Sequence, residues 1–472
     1  MARINKTHRL RDLDPSFLKR YDLAGPRYTS YPTAPAWDES VGAEAFTAHL
    51  ERTKADWRGR PLSIYLHLPF CEEHCTFCAC NVIISPKGRE VSDPYLDDLE
   101  REIELHAALN DADRPVVQFH WGGGTPTYLQ CDQIERAHEA IARRFNLAPG
   151  CEKSIEIHVS VTSDDQLRTL AALGFNRLSM GVQDFNERTQ RAIHRLQSFD
   201  RTREITELAR SLGFKGINYD LVYGLPHQSV ETFRETVDKV LELRPDRLAF
   251  YNFAYLPDRL AHQRAIDPAT LPDGATKLKI FLEAHDRFRA AGYEYIGMDH
   301  FALPDDELAR ARREGGLRRN FMGYTTGAGT DLIAMGVSSI SFVAGLFAQN
   351  TKKLNRYRDA LAEDRLPTER GRALTGDDAI RARVIEDLMC RDRVDKRAVA
   401  EAFAFDFDEY FAPEIDALAP MIADELLRDS PEAIELNFLG RLFARNVAMT
   451  FDAYLKAQRA TAGGRPLFSR TL

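Results

Sequence analysis

From Pro61 onward, short apolar runs alternate with longer amphipathic stretches, and that alternation predicts the elements. Leu62-Ser-Ile-Tyr-Leu-His-Leu-Pro69 is a strand, and Pro94 to Asn110 has helical spacing. Val116-Val-Gln-Phe-His-Trp121 is a second strand, followed by Gly122-Gly-Gly-Thr-Pro126 and a helix over Asp132 to Phe145. Ser154-Ile-Glu-Ile-His-Val159 is a third strand, and Ser163 caps a short helix starting at Asp164. Arg177 to Gln183, Ile217 to Tyr223 and Arg247 to Ala254 are further strands, with a helix over Val230 to Leu243 before the last. Strands and helices alternating at this spacing imply parallel pairing with crossover helices.

Each predicted strand carries something unusual at or near its end. A cysteine-rich loop follows the first and a triple glycine the second. Glu156, Gln183, Asp220 and Ala254 mark the others. In barrel-type α/β folds the loops at the carboxyl ends of the strands build the site, so these residues are expected to converge on one mouth.

The flanks read differently. Residues 1–60 carry few strand signals. Gly25-Pro-Arg-Tyr-Thr-Ser-Tyr-Pro-Thr33 is extended, because its prolines fix the backbone. It is either an arm packed on the core or a segment that covers a site. Past residue 270 come a helix over Ala275 to Ala291 and a further strand over Tyr293 to Met298. Arg310, Arg312, Arg313, Arg318 and Arg319 crowd the next segment, as a solvated helix face or as a dock for an acidic substrate or partner. The apolar run Leu332 to Phe347 is broken by Gly336, Gly345 and several serines, so it predicts a buried strand and turn rather than a membrane span. From about Ala373 the pattern is helical, with a hairpin near Leu427 to Phe438. Helices with a hairpin can suggest a winged helix, but Asp406, Asp408, Glu409, Glu414 and Asp416 make that region too acidic for DNA. The expected division is an arm with helices over 1–60, an α/β barrel with an extension over 61–370, and a mainly helical domain over 371–472.

Composition narrows the function class. The 472 residues are 44% hydrophobic and 28% charged, enough apolar matter for a sizeable core in a soluble protein. The formal net charge of -8 argues against nucleic acid as the main partner. The opening Met-Ala-Arg-Ile-Asn-Lys has no apolar core of signal-peptide type. Of seven cysteines, four fall in Cys71-Glu-Glu-His-Cys75-Thr-Phe-Cys78-Ala-Cys80, and Cys131, Cys151 and Cys390 are scattered. That is not a disulfide framework, and it suggests a reducing cytoplasm.

The spacing Cys-x3-Cys-x2-Cys lets a folded loop aim three thiolates at one centre. A four-iron cluster held by three thiolates keeps one iron open to a non-protein ligand. Structural zinc prefers four ligands, often as two separated pairs, and no second pair stands outside this stretch. From spacing alone iron–sulfur, zinc and loose thiols all stay open.

The surroundings go further. Cys-x3-Cys-x2-Cys after a first barrel strand resembles the signature of radical S-adenosylmethionine (SAM) enzymes. Gly25 to Thr33, Tyr65-Leu-His-Leu-Pro-Phe-Cys71, Cys78-Ala-Cys80-Asn, His120-Trp-Gly-Gly-Gly-Thr-Pro-Thr-Tyr128, Phe175 to Phe185, Met298-Asp-His-Phe301 and Phe451-Asp-Ala-Tyr-Leu455 together resemble the oxygen-independent coproporphyrinogen III oxidase family. The resemblance implies a partial (β/α)6 TIM-like radical SAM barrel with an N-terminal arm and a mainly helical C-terminal domain. It implies a reaction in which two propionates of coproporphyrinogen III are oxidatively decarboxylated to vinyl groups, giving protoporphyrinogen IX in haem biosynthesis. A [4Fe-4S] cluster would bind SAM at its open iron, and one electron would release the 5′-deoxyadenosyl radical that takes a hydrogen from the propionate β-carbon.

Residue roles follow by position. Cys71, Cys75 and Cys78 would ligate the cluster, and Cys80 would not. Two SAM molecules are implied, the first touched by Tyr65, Gly123, Glu156 and Ile340. Phe77, Gly124, Thr125, Gln183, Arg195, Asp220 and Ala254 would touch the second. Tyr65, Glu156, Phe321 and Ile340 carry the catalytic roles. A reduced flavodoxin- or ferredoxin-type donor, a monomer, a cytoplasmic location and no membrane partner complete the expectation. Two positions depart from the family pattern. Where the family continues after Glu156 with a hydrophobic residue and Asp-Pro-Arg, this chain has Ile157-His158-Val159-Ser160, and Met322 stands where glutamine is usual. The alternatives are a related radical enzyme acting on another tetrapyrrole, by methyl transfer or ring opening, and a haem-binding or delivery protein.

Overall fold

The computed structural model describes residues 15–111, 113–327, 330–455, 457–458 and 468–471. Its centre is a twelve-stranded sheet. In chain order the strands are β1 (Leu62–Leu68), β2 (Pro115–Gly123), β3 (Asn146–Ile157), β4 (Arg177–Gln183), β5 (Gly216–Tyr223), β6 (Arg247–Asn252), β7 (Glu294–Gly297), β8 (His300–Ala302), β9 (Asp331–Met335), β10 (Ile340–Val343), β11 (Leu346–Asn350) and β12 (Thr368–Ala373). They lie in the order β12-β11-β10-β9-β1-β2-β3-β4-β5-β6-β8-β7.

The expected six parallel strands pair in sequence order, and β9 adds a seventh parallel strand against β1. Antiparallel strands extend both edges, β10 to β12 on one side and β8 with β7 on the other. One difference from the sequence expectation is β3, which begins at Asn146 instead of Ser154. Pairing along the longer strand is irregular, with a register shift between Val116 and Gln118 of β2.

Two rows of side chains explain why these segments are strands. Ile64, Leu66, Phe119, Trp121, Ile155, Leu178, Met180, Ile217, Tyr219, Leu248 and Phe250 are buried in the main core. Helices such as Arg89–Leu109 add Tyr95, Leu96, Leu99 and Ile103 to it. The alternate positions Gln118, His120, Ser154, Glu156, Ser179, Asn218, Asp220 and Tyr251 line an inner cavity of about 150 Å³. The period of two sends apolar residues outward to the helices and polar ones inward.

The flanks close the ends. A helix over Gly376–Arg391, several shorter helices and a small antiparallel sheet of Arg393–Asp395, Ala433–Leu436 and Leu427–Asp429 form a second core. Tyr28 and Tyr31 of the arm are buried in that second core. The arm therefore bridges the barrel and the C-terminal helices. The arginine-rich segment resolves into a helix, Glu307–Glu314, and a strand, Arg318–Asn320, that pairs with Gly323–Thr325. Arg312 pairs with Asp392 and Arg313 with Glu294, so much of this charge binds the extension to its neighbours.

Candidate active site

β1 delivers the chain straight into the cysteine loop. Phe70–Cys71 pairs in parallel with Ile83–Ile84, so the loop folds back on itself. Thr76 N donates to Ile193 O at 3.1 Å, and His262 Nε2 lies 2.7 Å from Cys78 O. Each of the three spaced thiols meets a polar hydrogen. Cys71 Sγ is 3.5 Å from Thr125 Oγ1, Arg195 Nη1 donates to Cys75 Sγ at 3.7 Å, and Cys80 N donates to Cys78 Sγ at 3.4 Å. Burial pushes the Cys71 thiol up to about 11. A buried thiolate therefore needs a cation to replace its proton.

The thiols do not converge on one point. Among the described residues, no three His, Cys, Asp or Glu side chains are close enough to share a metal ion. A four-iron cluster takes one thiolate at each of three irons, so separated thiols suit it better than a four-ligand zinc centre.

The triple glycine lies directly under this loop. Gly124 N donates to Leu68 O and Thr125 N to Phe70 O, both at 2.8 Å. A Cβ on Gly124 would stand 2.7 Å from Pro69 C and Phe70 O. Gly123 has φ +112°, and a Cβ there would meet the His67 ring at 2.7 Å. The glycines are thus required by the protein's own packing as well as by any close backbone approach to a ligand.

Glu156 stands at the junction of the site. Its Oε2 accepts from Gly123 N at 3.2 Å, and its Oε1 lies 3.5 Å from His120 Nε2. Asp220 accepts from Asn218 Nδ2 at 2.9 Å and from Ser179 Oγ at 3.4 Å. Burial, and then the Glu156 carboxylate, push Asp220 up to about 7. Arg195 Nη2 donates to Gly181 O at 2.7 Å, and its Nε is buried without a partner among the described residues.

Three cavities meet here. The largest, about 970 Å³, is lined by the cysteine loop together with Phe77, Gly123, Gly124, Thr125, Glu156, Gln183, Arg195, Asp220 and Ala254. A smaller one, about 340 Å³, is lined by Tyr65, Glu156, Phe321 and Ile340. Glu156 and Tyr251 border both of these and the inner cavity of the barrel. The structure thus brings together every site residue named from the sequence.

The two departures are accommodated locally. His158 lines the large cavity, and burial, then Arg195, hold its imidazole down to about 3. Ser160 N donates to His158 Nδ1 at 3.3 Å, and Ser160 Oγ donates to Leu196 O at 2.7 Å. The substituted turn therefore ties down the segment that carries Arg195. Met322 lines the inner and smaller cavities.

Sequence reasoning missed Arg27, Tyr251 and His300 as site residues and weighed Arg319 only as one of five arginines that could form a solvated face or a dock, yet all four line the smaller cavity. The signal for Arg27 was its place in the proline-fixed arm. That arm covers the site: Trp37 stacks on Phe347 at 5.0 Å and meets Phe321 edge-on at 5.8 Å.

The Radical SAM superfamily matches residues 65–240, and the HemN C-terminal domain matches residues 374–443. The oxygen-independent coproporphyrinogen III oxidase of Salmonella typhimurium is 46% identical over 94% of this chain and 96% of its own length. That of Pseudomonas aeruginosa is 42% identical over 97% of this chain and 98% of its own. The solved coproporphyrinogen III oxidase (HemN) of Escherichia coli, described as a radical SAM enzyme, superposes with a TM-score of 0.89 at 44% identity, covering 94% of this chain and 99% of that one. On near-full-length similarity in both sequence and fold, this chain belongs to the oxygen-independent coproporphyrinogen III oxidase family of radical SAM proteins.

Proposed function

We propose that this enzyme oxidatively decarboxylates two propionates of coproporphyrinogen III to vinyl groups without oxygen, giving protoporphyrinogen IX in haem biosynthesis. The observation that carries the reading is the continuity of the site. The three thiols line the large cavity, Phe321 and Ile340 line the smaller one, and Glu156 borders both. When bound, a [4Fe-4S] cluster and SAM supply the one-electron cleavage and the carbon radical that removes a hydrogen atom from a propionate β-carbon.

The chain's own residues do the rest. Cys71, Cys75 and Cys78 hold the cluster, while Thr125, Arg195 and the Cys80 amide offer hydrogens to their sulfurs. Such donors set cluster potential. Glu156 and Asp220 accept hydrogen bonds from ribose hydroxyls, most strongly as ionised carboxylates. Burial keeps the Tyr65 phenol protonated, so it acts as a hydrogen-bond donor near the reacting groups. Tyr65, Glu156, Phe321 and Ile340 surround the reacting propionate, and the N-terminal arm excludes water.

Two SAM molecules occupy the enzyme in this reading. The seven residues assigned to the second all line the large cavity. Tyr65 and Ile340, assigned to the first, line the smaller cavity, and Glu156 borders both. A flavodoxin- or ferredoxin-type protein delivers the electron, and the enzyme works as a cytoplasmic monomer. No helix among the described residues is long and apolar enough to cross a membrane. Residues 1–60, 61–370 and 371–472 serve as arm, catalytic barrel and helical domain.

The deciding experiment is anaerobic reconstitution with iron, sulfide, SAM, a reductant and coproporphyrinogen III. Carbon dioxide with divinyl product is the expected result. Cleavage of SAM without either product would overturn the substrate and favour another tetrapyrrole. Haem binding with no SAM cleavage would favour a binding protein.

A further inference from the structure

Two guanidinium groups meet over the smaller cavity, and they arrive from distant parts of the chain. Arg27 comes from the N-terminal arm and Arg319 from the hairpin strand Arg318–Asn320. Arg319 Nε donates to Arg27 O at 3.2 Å, which ties the arm to the hairpin. Its guanidinium carbon lies 4.7 Å from the Tyr324 ring centre.

The charges do not balance. Arg27 pairs with Asp299, but among the described residues no carboxylate ion-pairs with Arg319. Arg319 Nη1 is shut off from water with no acceptor. Arg445, also buried, spends its hydrogen bonds on carbonyls that include Gly25 O and Pro26 O. Burial, then Arg445 and Arg319, press Arg27 down to about 9, which reflects the crowding of positive charge. His300 lines the same cavity, and its buried Nδ1 also has no partner among the described residues. Burial and the nearby Arg319, Arg27 and Arg247 keep that imidazole neutral. An unpaired guanidinium nitrogen shut off from water is costly, and an entering anion offsets that cost.

We infer that Arg319, with Arg27 and His300 beside it, docks a propionate carboxylate of the substrate. The inference rests on the tetrapyrrole reading above and says how that substrate is held. A guanidinium fork suits a carboxylate by two parallel hydrogen bonds. The cofactor's own carboxylate is a poorer candidate. The carboxylate of SAM would be held at the cluster's open iron, beside the three thiols, and those thiols line the large cavity, which Arg319 does not border. The dock also gives the arm a function, because Arg27 borders both cavities and reaches Asp299 only when the arm is in place.

The test uses coproporphyrin III, a non-reacting fluorescent stand-in, and its tetramethyl ester, titrated into the cluster-loaded enzyme under anaerobic conditions. Wild type is expected to bind the free acid at least about 30-fold more tightly than the ester, the low end for losing one partner of a buried charge pair. R319Q weakens binding of the acid by a similar factor and removes most of the preference, and R319K, which keeps charge but not the fork, falls between them. Melting temperature and iron content report whether the variants are folded and loaded. If R319Q does not fold, the wild-type comparison of acid and ester still decides. Equal binding of acid and ester by wild type, or wild-type affinity in a folded R319Q, overturns the dock. Failure of the tetrapyrrole reading shows separately, as wild-type enzyme that yields no vinyl product. If that product forms but the acid is not preferred, only the dock is lost.

Discussion

Gly124→Ala tests whether the glycine platform positions the cluster loop. The added Cβ would lie 2.7 Å from Pro69 C and Phe70 O and 2.8 Å from Pro69 O. These are backbone atoms of the segment leading into Cys71, so no side chain can swing away. The shortfall from ordinary carbon contact is about 0.7 Å or more, and the loop must move by a comparable distance. That movement strains the hydrogen bonds from Gly124 N to Leu68 O and from Thr125 N to Phe70 O. It also separates Cys71 Sγ from Thr125 Oγ1. Overpacking of this kind costs roughly 1–3 kcal/mol. Spread over so long a chain, that lowers the melting temperature by only a few degrees, about 2–4 °C per kcal/mol or less. The cluster is the sensitive readout, because a displaced Cys71 withdraws one of three ligands. Anaerobic reconstitution, iron and sulfide analysis and the visible spectrum should show a substoichiometric or rapidly lost cluster. Gly122→Ala is the control, since its Cβ meets the Glu156 carboxyl group, a side chain, at 2.8 Å. That variant should load its cluster and lose affinity for SAM. A full, stable cluster in Gly124→Ala at the wild-type melting temperature would refute the reasoning.

Three further outcomes follow from the same geometry. Asp220 is held up to about 7, so its carboxylate is lost as pH falls through that value. Equilibrium dialysis of SAM should show affinity falling about tenfold or more below neutrality and levelling off above it, while D220N gives a flat profile; a flat wild-type profile would remove Asp220 from the contact. Glu102 is fully buried, accepts from Gly336 N, Asn350 Nδ2 and Tyr357 OH, and is held up to about 7 by burial. Its folded-state value exceeds its unfolded one, so its contribution is full below the unfolded value near 4.5 and disappears as pH rises through about 7. Denaturant titrations should show about 3 kcal/mol of stability lost across that window and a slope that vanishes in E102Q. Restoring Asp-Pro-Arg at positions 158–160 together with M322Q should leave turnover no higher than wild type, because Ser160 already anchors Leu196 O; a tenfold gain in kcat/KM would mean the native turn is a defect.

Legibility in the sequence followed locality. β4 and the helix Val230–Leu243 have the boundaries that their spacing predicts, because period and capping are local properties. The cysteine spacing, the triple glycine and the strand-end carboxylates were legible for the same reason. The start of β3 was not legible, because the irregular stretch from Asn146 is held by its shifted pairing with β2, a partner distant in the chain. The smaller cavity was the least legible. Arg27 lies in the proline-fixed arm, His300 in the Met298–Phe301 motif and Arg319 in the arginine-rich segment, but nothing local announces their meeting with one another and with Tyr251.

The sequence by itself determined an inward polar row, an outward apolar row and a loop carrying three thiols after the first strand. Period-two alternation and short spacings are written in consecutive residues. Only the tertiary structure decided that β9 returns to lie parallel to β1, and that the arm crosses the barrel to set Arg27 beside Arg319. Those contacts join residues that are distant in the chain. They form because the whole sheet and both cores close together, and no local pattern encodes that closure.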